Sequence, residues 1–118
     1  MPHLTIEYSN NLHQFDAQNA LLKLNQVLID SGHFSEPDIK SRAISFDQFL
    51  IGNQAGRAFI HLKLCILSNR PAAIKKELAT AMLAALSRQI PNPDQLQIQI
   101  CAEIIDIDRE SYSKEVIS

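Results

Sequence analysis

One pattern runs through this chain twice, and it limits the folds open to it more than anything else. A strand-like alternation is followed by a helical stripe and then by a second extended run, at a spacing of roughly 56 residues between first strands and first helices. In the first copy Leu4, Ile6 and Tyr8 alternate with Thr5, Glu7 and Ser9, a half-buried strand that Asn10-Asn11 breaks. From Asp16 onward Ala20, Leu21, Leu24, Val27 and Leu28 recur at helical spacing, and Gly32 stands where a helix stops. After Ser35-Glu36-Pro37 an extended stretch runs from Ile39 towards Leu50, and the turn-rich Gly52-Asn53-Gln54-Ala55-Gly56 ends it. The second copy opens near Arg57 with Ile60, Leu62, Leu64 and Ile66 alternating against His61, Lys63 and Cys65. Pro71 suits the first turn of a helix whose stripe is Ile74, Leu78, Ala81, Met82, Ala85 and Leu86, and Pro91 and Pro93 forbid its continuation. Leu96, Ile98, Ile100, Ala102 and Ile104 give the last strand.

A strand, a crossover helix and a second strand make a parallel, right-handed pair. Two such units predict one four-stranded sheet with both helices on one face. The opposite face then lies open, carrying His61, Cys65, Gln97 and Gln99, and calls for a partner surface. Element order alone also allows a ferredoxin-like sheet. The pseudo-repeats, about 2–52 and 57–106, lie within a single domain spanning 1–118.

The formal charge of −2 gives no electrostatic reason to bind nucleic acid or an anionic membrane. No apolar run reaches the roughly 20 residues that span a bilayer, and no secretory signal is visible, so the expected location is cytoplasmic. Cys65 and Cys101 are expected to be buried free thiols. The four histidines have no Cys or carboxylate at ligand spacing, so no metal is expected.

The sequence begins Met1-Pro2, with Pro2 read as the first residue of the first strand. With Met1 removed, Pro2 is a secondary amine, and burial or neighbouring cations lower the pKa of an amine towards the range proton-transfer chemistry needs. The plainer reading is that Pro2 only permits methionine removal. With Met1 retained, the Pro2 nitrogen is an amide and has no basicity.

The block Pro2-His3-Leu4-Thr5-Ile6-Glu7-Tyr8-Ser9-Asn10-Asn11 resembles the start of the 5-carboxymethyl-2-hydroxymuconate Δ-isomerase family of the tautomerase superfamily. So do Ser31-Gly32-His33-Phe34, Ile39-Lys40-Ser41-Arg42 and Phe59-Ile60-His61-Leu62-Lys63-Leu64, with a weaker likeness from Glu103 to Lys114. The resemblance implies a tautomerase-like α/β (α+β) fold, a β-α-β-β-α-β tandem repeat with a mixed four-stranded sheet. It also implies a homotrimer whose sheets close on one another, and a pocket lined partly by a neighbouring subunit. The implied enzyme is a cofactor-free isomerase from aromatic compound catabolism, with Pro2 as general base on an unsaturated 2-oxo or 2-hydroxy dicarboxylate.

Arg70 falls where the family has an arginine and is the first candidate for holding a substrate carboxylate, since guanidinium offers a bidentate fork. Lys40 departs from the family's usual Ile-Arg-Ser-Arg. It keeps the charge and loses the fork, which bears on substrate identity. Arg42 lies on the same strand face, so Lys40 and Arg42 are both candidates for substrate binding and equally for edge charges. His61 reads as a hydrogen-bonded structural histidine facing a neighbouring subunit. Phe34 and Phe46 read as core packing ahead of pocket wall, Glu7 and Asp47 as acceptors without an assigned role. His3 is set aside because it points away from Pro2's face. Two alternatives remain: a promiscuous keto–enol tautomerase, favoured by Lys40, and a non-catalytic trimeric binding or scaffold protein, favoured by a retained Met1.

Overall fold

A computed structural model describes residues 1–118. Its elements run β1 (His3–Ser9), α1 (Ala17–Asp30), β2 (Lys40–Phe46), β3 (Arg57–Leu67), α2 (Ala72–Ser87) and β4 (Gln97–Ile107), with single 3-10 turns at Glu36–Asp38 and Arg109–Ser111. The sheet order is β2-β1-β3-β4, parallel within each outer pair and antiparallel between β1 and β3. Each crossover therefore joins strands that are direct neighbours, whereas the ferredoxin-like arrangement splits them.

Local chemistry explains the boundaries. The Asp16 carboxylate accepts from the Asn19 amide at 3.0 Å and caps α1, and Gly32 takes a positive φ of 78° just beyond the helix end. Pro71 caps α2 with its fixed φ and no side-chain bond. β2 stops at Phe46, short of the expected Leu50. Its only neighbour, β1, ends at the paired Ser9, and beyond that point this edge strand has no ladder to join. β1 likewise begins at His3, not Pro2, although the Pro2 carbonyl still accepts from the Lys40 amide at 3.1 Å.

Both helices cover the same face. Leu4 and Ile6 of β1 and Ala58, Ile60, Leu62, Leu64 and Ile66 of β3 meet Leu24 and Leu28 of α1 and Leu78, Met82 and Leu86 of α2. Each large apolar side chain here contributes about 1.5–3 kcal/mol by leaving water. The alternate residues of β3 are all partly exposed, so the strand has one core face and one open face.

On the open face charges pair across the strands. Lys63 donates to Glu7 at 3.1 Å, and His61 bridges towards both Glu7 and Glu103. The thiols are free but not buried: Cys101 is exposed and Cys65 partly so, because both project from this uncovered face. No helix is long and apolar enough to cross a membrane.

Candidate active site

A cavity of about 380 Å³ opens where four separate segments converge. Met1 forms one side, and His33, Phe34, Ser35 and Asp38 come from the connection between α1 and β2. Leu67 ends β3, Arg70 comes from the turn between β3 and α2, and Tyr112 and Lys114 from the segment after β4.

The turn that carries Arg70 is pinned at its start, through both backbone groups of Ser68. The Ser68 amide donates to the Ile107 carbonyl at 2.8 Å, and Arg109 Nε donates to the Ser68 carbonyl at 2.8 Å. Asn69 takes a left-handed φ of 81°, a conformation asparagine tolerates better than most residues. Arg70 then lies over the Phe34 ring, 4.8 Å from its centroid, and reaches the His33 carbonyl with Nη2 at 3.5 Å. Its Nε is buried and has no partner. Arg70 lines the cavity, and a guanidinium there is suited to a carboxylate, which satisfies two parallel N–H groups at once.

The amine at the start of the chain belongs to the same site. The Met1 nitrogen donates to the Asp38 carbonyl at 3.5 Å, and Lys40 Nζ donates to that same oxygen. Burial, a hydrogen bond to Lys40, and the charges of Lys40 and Lys114 lower the amine from its ordinary 8.0 to about 6, against an opposing pull from Asp38. Lys114 donates to Asp38 Oδ1 at 2.9 Å and holds that carboxyl below its ordinary range. The lone carboxylate on the wall is thus paired, and the remaining character of the cavity is cationic.

Pro2 is fully buried directly behind Met1. Of the other candidates, Arg70 lines the cavity, while Lys40 meets it only through the Asp38 carbonyl and the amine. Arg42 does not line it. It is exposed on the open face, with Nη2 3.2 Å from His3 Nδ1. His3 does point away from the face of Leu4, yet the segment after β4 brings Tyr112 to it, with Oη 3.1 Å from Nε2. Phe34 is both packed against the core and part of the wall. Phe46 stacks near Phe59 on the open face, Asp47 accepts from Asn10 at 3.0 Å, and His61 and Glu7 serve the cross-strand charge ladder. Tyr112, Lys114, Asp38 and His33 were not legible as site residues. They sit in irregular segments with no periodicity; the family likeness covered His33, and more weakly Tyr112 and Lys114, without giving any of them a role. No group of three or more His, Cys, Asp or Glu side chains is placed to hold a metal ion.

A family model described as 5-carboxymethyl-2-hydroxymuconate isomerase matches residues 2–117. No curated protein matches the sequence significantly. Among solved structures, the chain is similar to a 5-carboxymethyl-2-hydroxymuconate isomerase from Deinococcus radiodurans R1. That likeness has a TM-score of 0.89 and 30% identity over 97% of this chain and 88% of that one. A 5-carboxymethyl-2-hydroxymuconate delta-isomerase superposes with a TM-score of 0.83 at 23% identity, over 98% of this chain and 88% of that one. A fused 4-OT wild type symmetric trimer shares the fold at a TM-score of 0.76 and 12% identity, over 95% of this chain and 90% of that one.

Proposed function

The chain belongs to the 5-carboxymethyl-2-hydroxymuconate isomerase family, and from that premise we propose an isomerase whose base is the Pro2 amine once Met1 is removed. The observation that carries the reading is the convergence of the amine terminus and Arg70 on one cationic cavity. Removing Met1 vacates part of that cavity and puts a secondary amine at Pro2, close to the cations that already lower the Met1 amine. Lys40 then acts on the base, keeping it neutral and able to accept a proton.

The substrate is an unsaturated 2-hydroxy or 2-oxo dicarboxylate, such as 5-carboxymethyl-2-hydroxymuconate. Its carboxylate pairs with the Arg70 guanidinium, which lines the cavity. Pro2 takes a proton from the conjugated system and returns it at another carbon, and in between the charge rests on the dienolate oxygen. The chain supplies base, cations and wall, and the reaction needs no cofactor.

The open sheet face supports a homotrimer in which three copies cover one another's exposed strands, as in the symmetric trimers that share the fold. A broader keto–enol tautomerase is favoured by one observation: Lys40 is already engaged with Asp38, which leaves Arg70 as the unpaired guanidinium. A single guanidinium suits a 2-oxo monocarboxylate.

Intact mass on the expressed protein, with isomerisation of 5-carboxymethyl-2-hydroxymuconate and ketonisation of phenylpyruvate on the same sample, tests the reading. It stands if the chain lacks Met1, turns over either substrate, and loses turnover in Pro2→Ala. A retained Met1 with no turnover moves the protein to a binding role.

A further inference from the structure

Three side chains link the open face of the sheet to the cavity, and the proton inventory of that link is fixed by chemistry. Arg42 Nη2 lies 3.2 Å from His3 Nδ1, and His3 Nε2 lies 3.1 Å from the Tyr112 hydroxyl. A guanidinium has only donors, so Nδ1 must accept. A neutral imidazole that accepts at Nδ1 carries its hydrogen on Nε2. Nε2 therefore donates to the Tyr112 oxygen, and the hydroxyl's own hydrogen is left over. Tyr112 lines the cavity, so that hydrogen is available to whatever the cavity holds. The ring pair itself is set edge to face, with centroids 6.1 Å apart, which fixes the hydroxyl's approach.

We propose that Tyr112 is a catalytic residue whose hydroxyl donates a hydrogen bond to the oxygen on which the dienolate charge develops. His3 and Arg42 are positioning residues that keep that hydrogen free. No bond to hydrogen breaks at Tyr112; the proton moved in the reaction stays with Pro2 and the substrate. The inference rests on the isomerase reading above and adds the electrophilic partner to its base. With the imidazole reversed, Nε2 would accept and take the hydroxyl's hydrogen away from the substrate. The arginine prevents that reversal. Burial, with the charges of Arg42 and Lys40 behind it, lowers the His3 pKa and keeps the ring neutral.

The test uses the full chain lacking Met1, with wild type, Pro2→Ala, Tyr112→Phe, Arg42→Met and Arg42→Lys side by side. Phenylpyruvate ketonisation and hydroxymuconate isomerisation give kcat and KM, and long-range 15N spectra give the His3 tautomer. Tyr112→Phe is expected to lose about 100-fold in kcat, the scale of one oxyanion donor, with KM changed less than about threefold. Arg42→Met, which has no donor for Nδ1, is expected to lose about 10-fold in kcat and to lose the pure Nε2–H signature. Arg42→Lys, which still donates to Nδ1, restores both.

A Tyr112→Phe enzyme that turns over at the wild-type rate, or changes in KM alone, overturns the proposal. So does an Nδ1–H tautomer in the wild type. If Tyr112→Phe fails to fold, Arg42→Met decides, and an unchanged kcat there is equally fatal. A wild type inactive on both substrates brings down the isomerase reading and this inference together. An active wild type silenced by Pro2→Ala but unaffected by Tyr112→Phe removes this inference alone.

Discussion

Replacing Arg70 with lysine separates the shape of the cation from its charge. In the free protein the guanidinium spends little on structure: one 3.5 Å contact to the His33 carbonyl, a stack on Phe34, and a buried Nε with no partner. A bound carboxylate takes two N–H groups of the guanidinium at once. Lysine keeps the charge and one donor but loses the second bond of the fork, worth about 1.5–2 kcal/mol for a charge-assisted bond. The flat stack on the ring is made with or without substrate, so its loss, about 0.5–1 kcal/mol, falls on stability. The lost bond corresponds to a fall of roughly 13- to 30-fold in kcat/KM, read from the disappearance of the conjugated dienol's ultraviolet absorbance. Stability should barely follow beyond that, because the Nε hydrogen bonds to nothing. A loss below about 1 kcal/mol keeps the melting temperature within about 4 °C of wild type. A kcat/KM within threefold of wild type refutes the carboxylate role, and so does a melting temperature that falls in step with activity.

A chain that keeps Met1 should grow more stable from pH 6 to pH 8. Its amine is at about 6 when folded against 8.0 otherwise, so across that window the unfolded chain binds more protons and ∂ΔG/∂pH is positive. A melting temperature that is flat or falls over the window contradicts the assignment, and Lys40→Ala should shallow the slope. Asn69→Ala should cost about 1 kcal/mol, because alanine lacks the short polar side chain whose local hydrogen bonding eases left-handed backbone, whereas Asn69→Gly should cost almost nothing; urea titration distinguishes them. Leu62→Ala, at a fully buried position in a central strand, should cost about 2–5 kcal/mol by the same titration, and a smaller loss means the core closes over the gap. Lys114→Ala should let the Asp38 carboxyl rise towards its ordinary range, read by carboxyl-carbon NMR titration.

The fold was legible because its signals are periodic. The alternation of β3 and the stripe Ala20, Leu21, Leu24 and Leu28 identify strand and helix without reference to partners, and the doubled unit forces parallel pairs. Sheet order was not legible, because element order is the same in the split arrangement. Nor was the end of β2, since an edge strand stops where its neighbour stops and not where its own residues change character. In the site, Pro2 and Arg70 stood out by position and likeness. Arg42 was seen as a cation, but what it touches depends on His3 and on Tyr112 of a distant segment. His3 was set aside by a correct rule about strand faces. That rule says nothing of a chain end that passes the ends of the strands and brings Tyr112 to His3. The Asp38–Lys114 pair carried no signal as a pair, because an ion pair between irregular segments has no spacing.

The eleven-residue β3 also works as a ruler. Its inward residues fill the core, its outward ones hold the charge ladder, and its far end leads within three residues to Arg70. One residue inserted or deleted inside it would send Ile60, Leu62, Leu64 and Ile66 outward and bring His61, Lys63 and Cys65 into the core. It would also displace Arg70 by about 3.3 Å relative to the amine. Length variation in descendants of this sequence is therefore confined to places such as residues 47–56, where a longer or shorter loop leaves the strand's register and the reach of Arg70 unchanged.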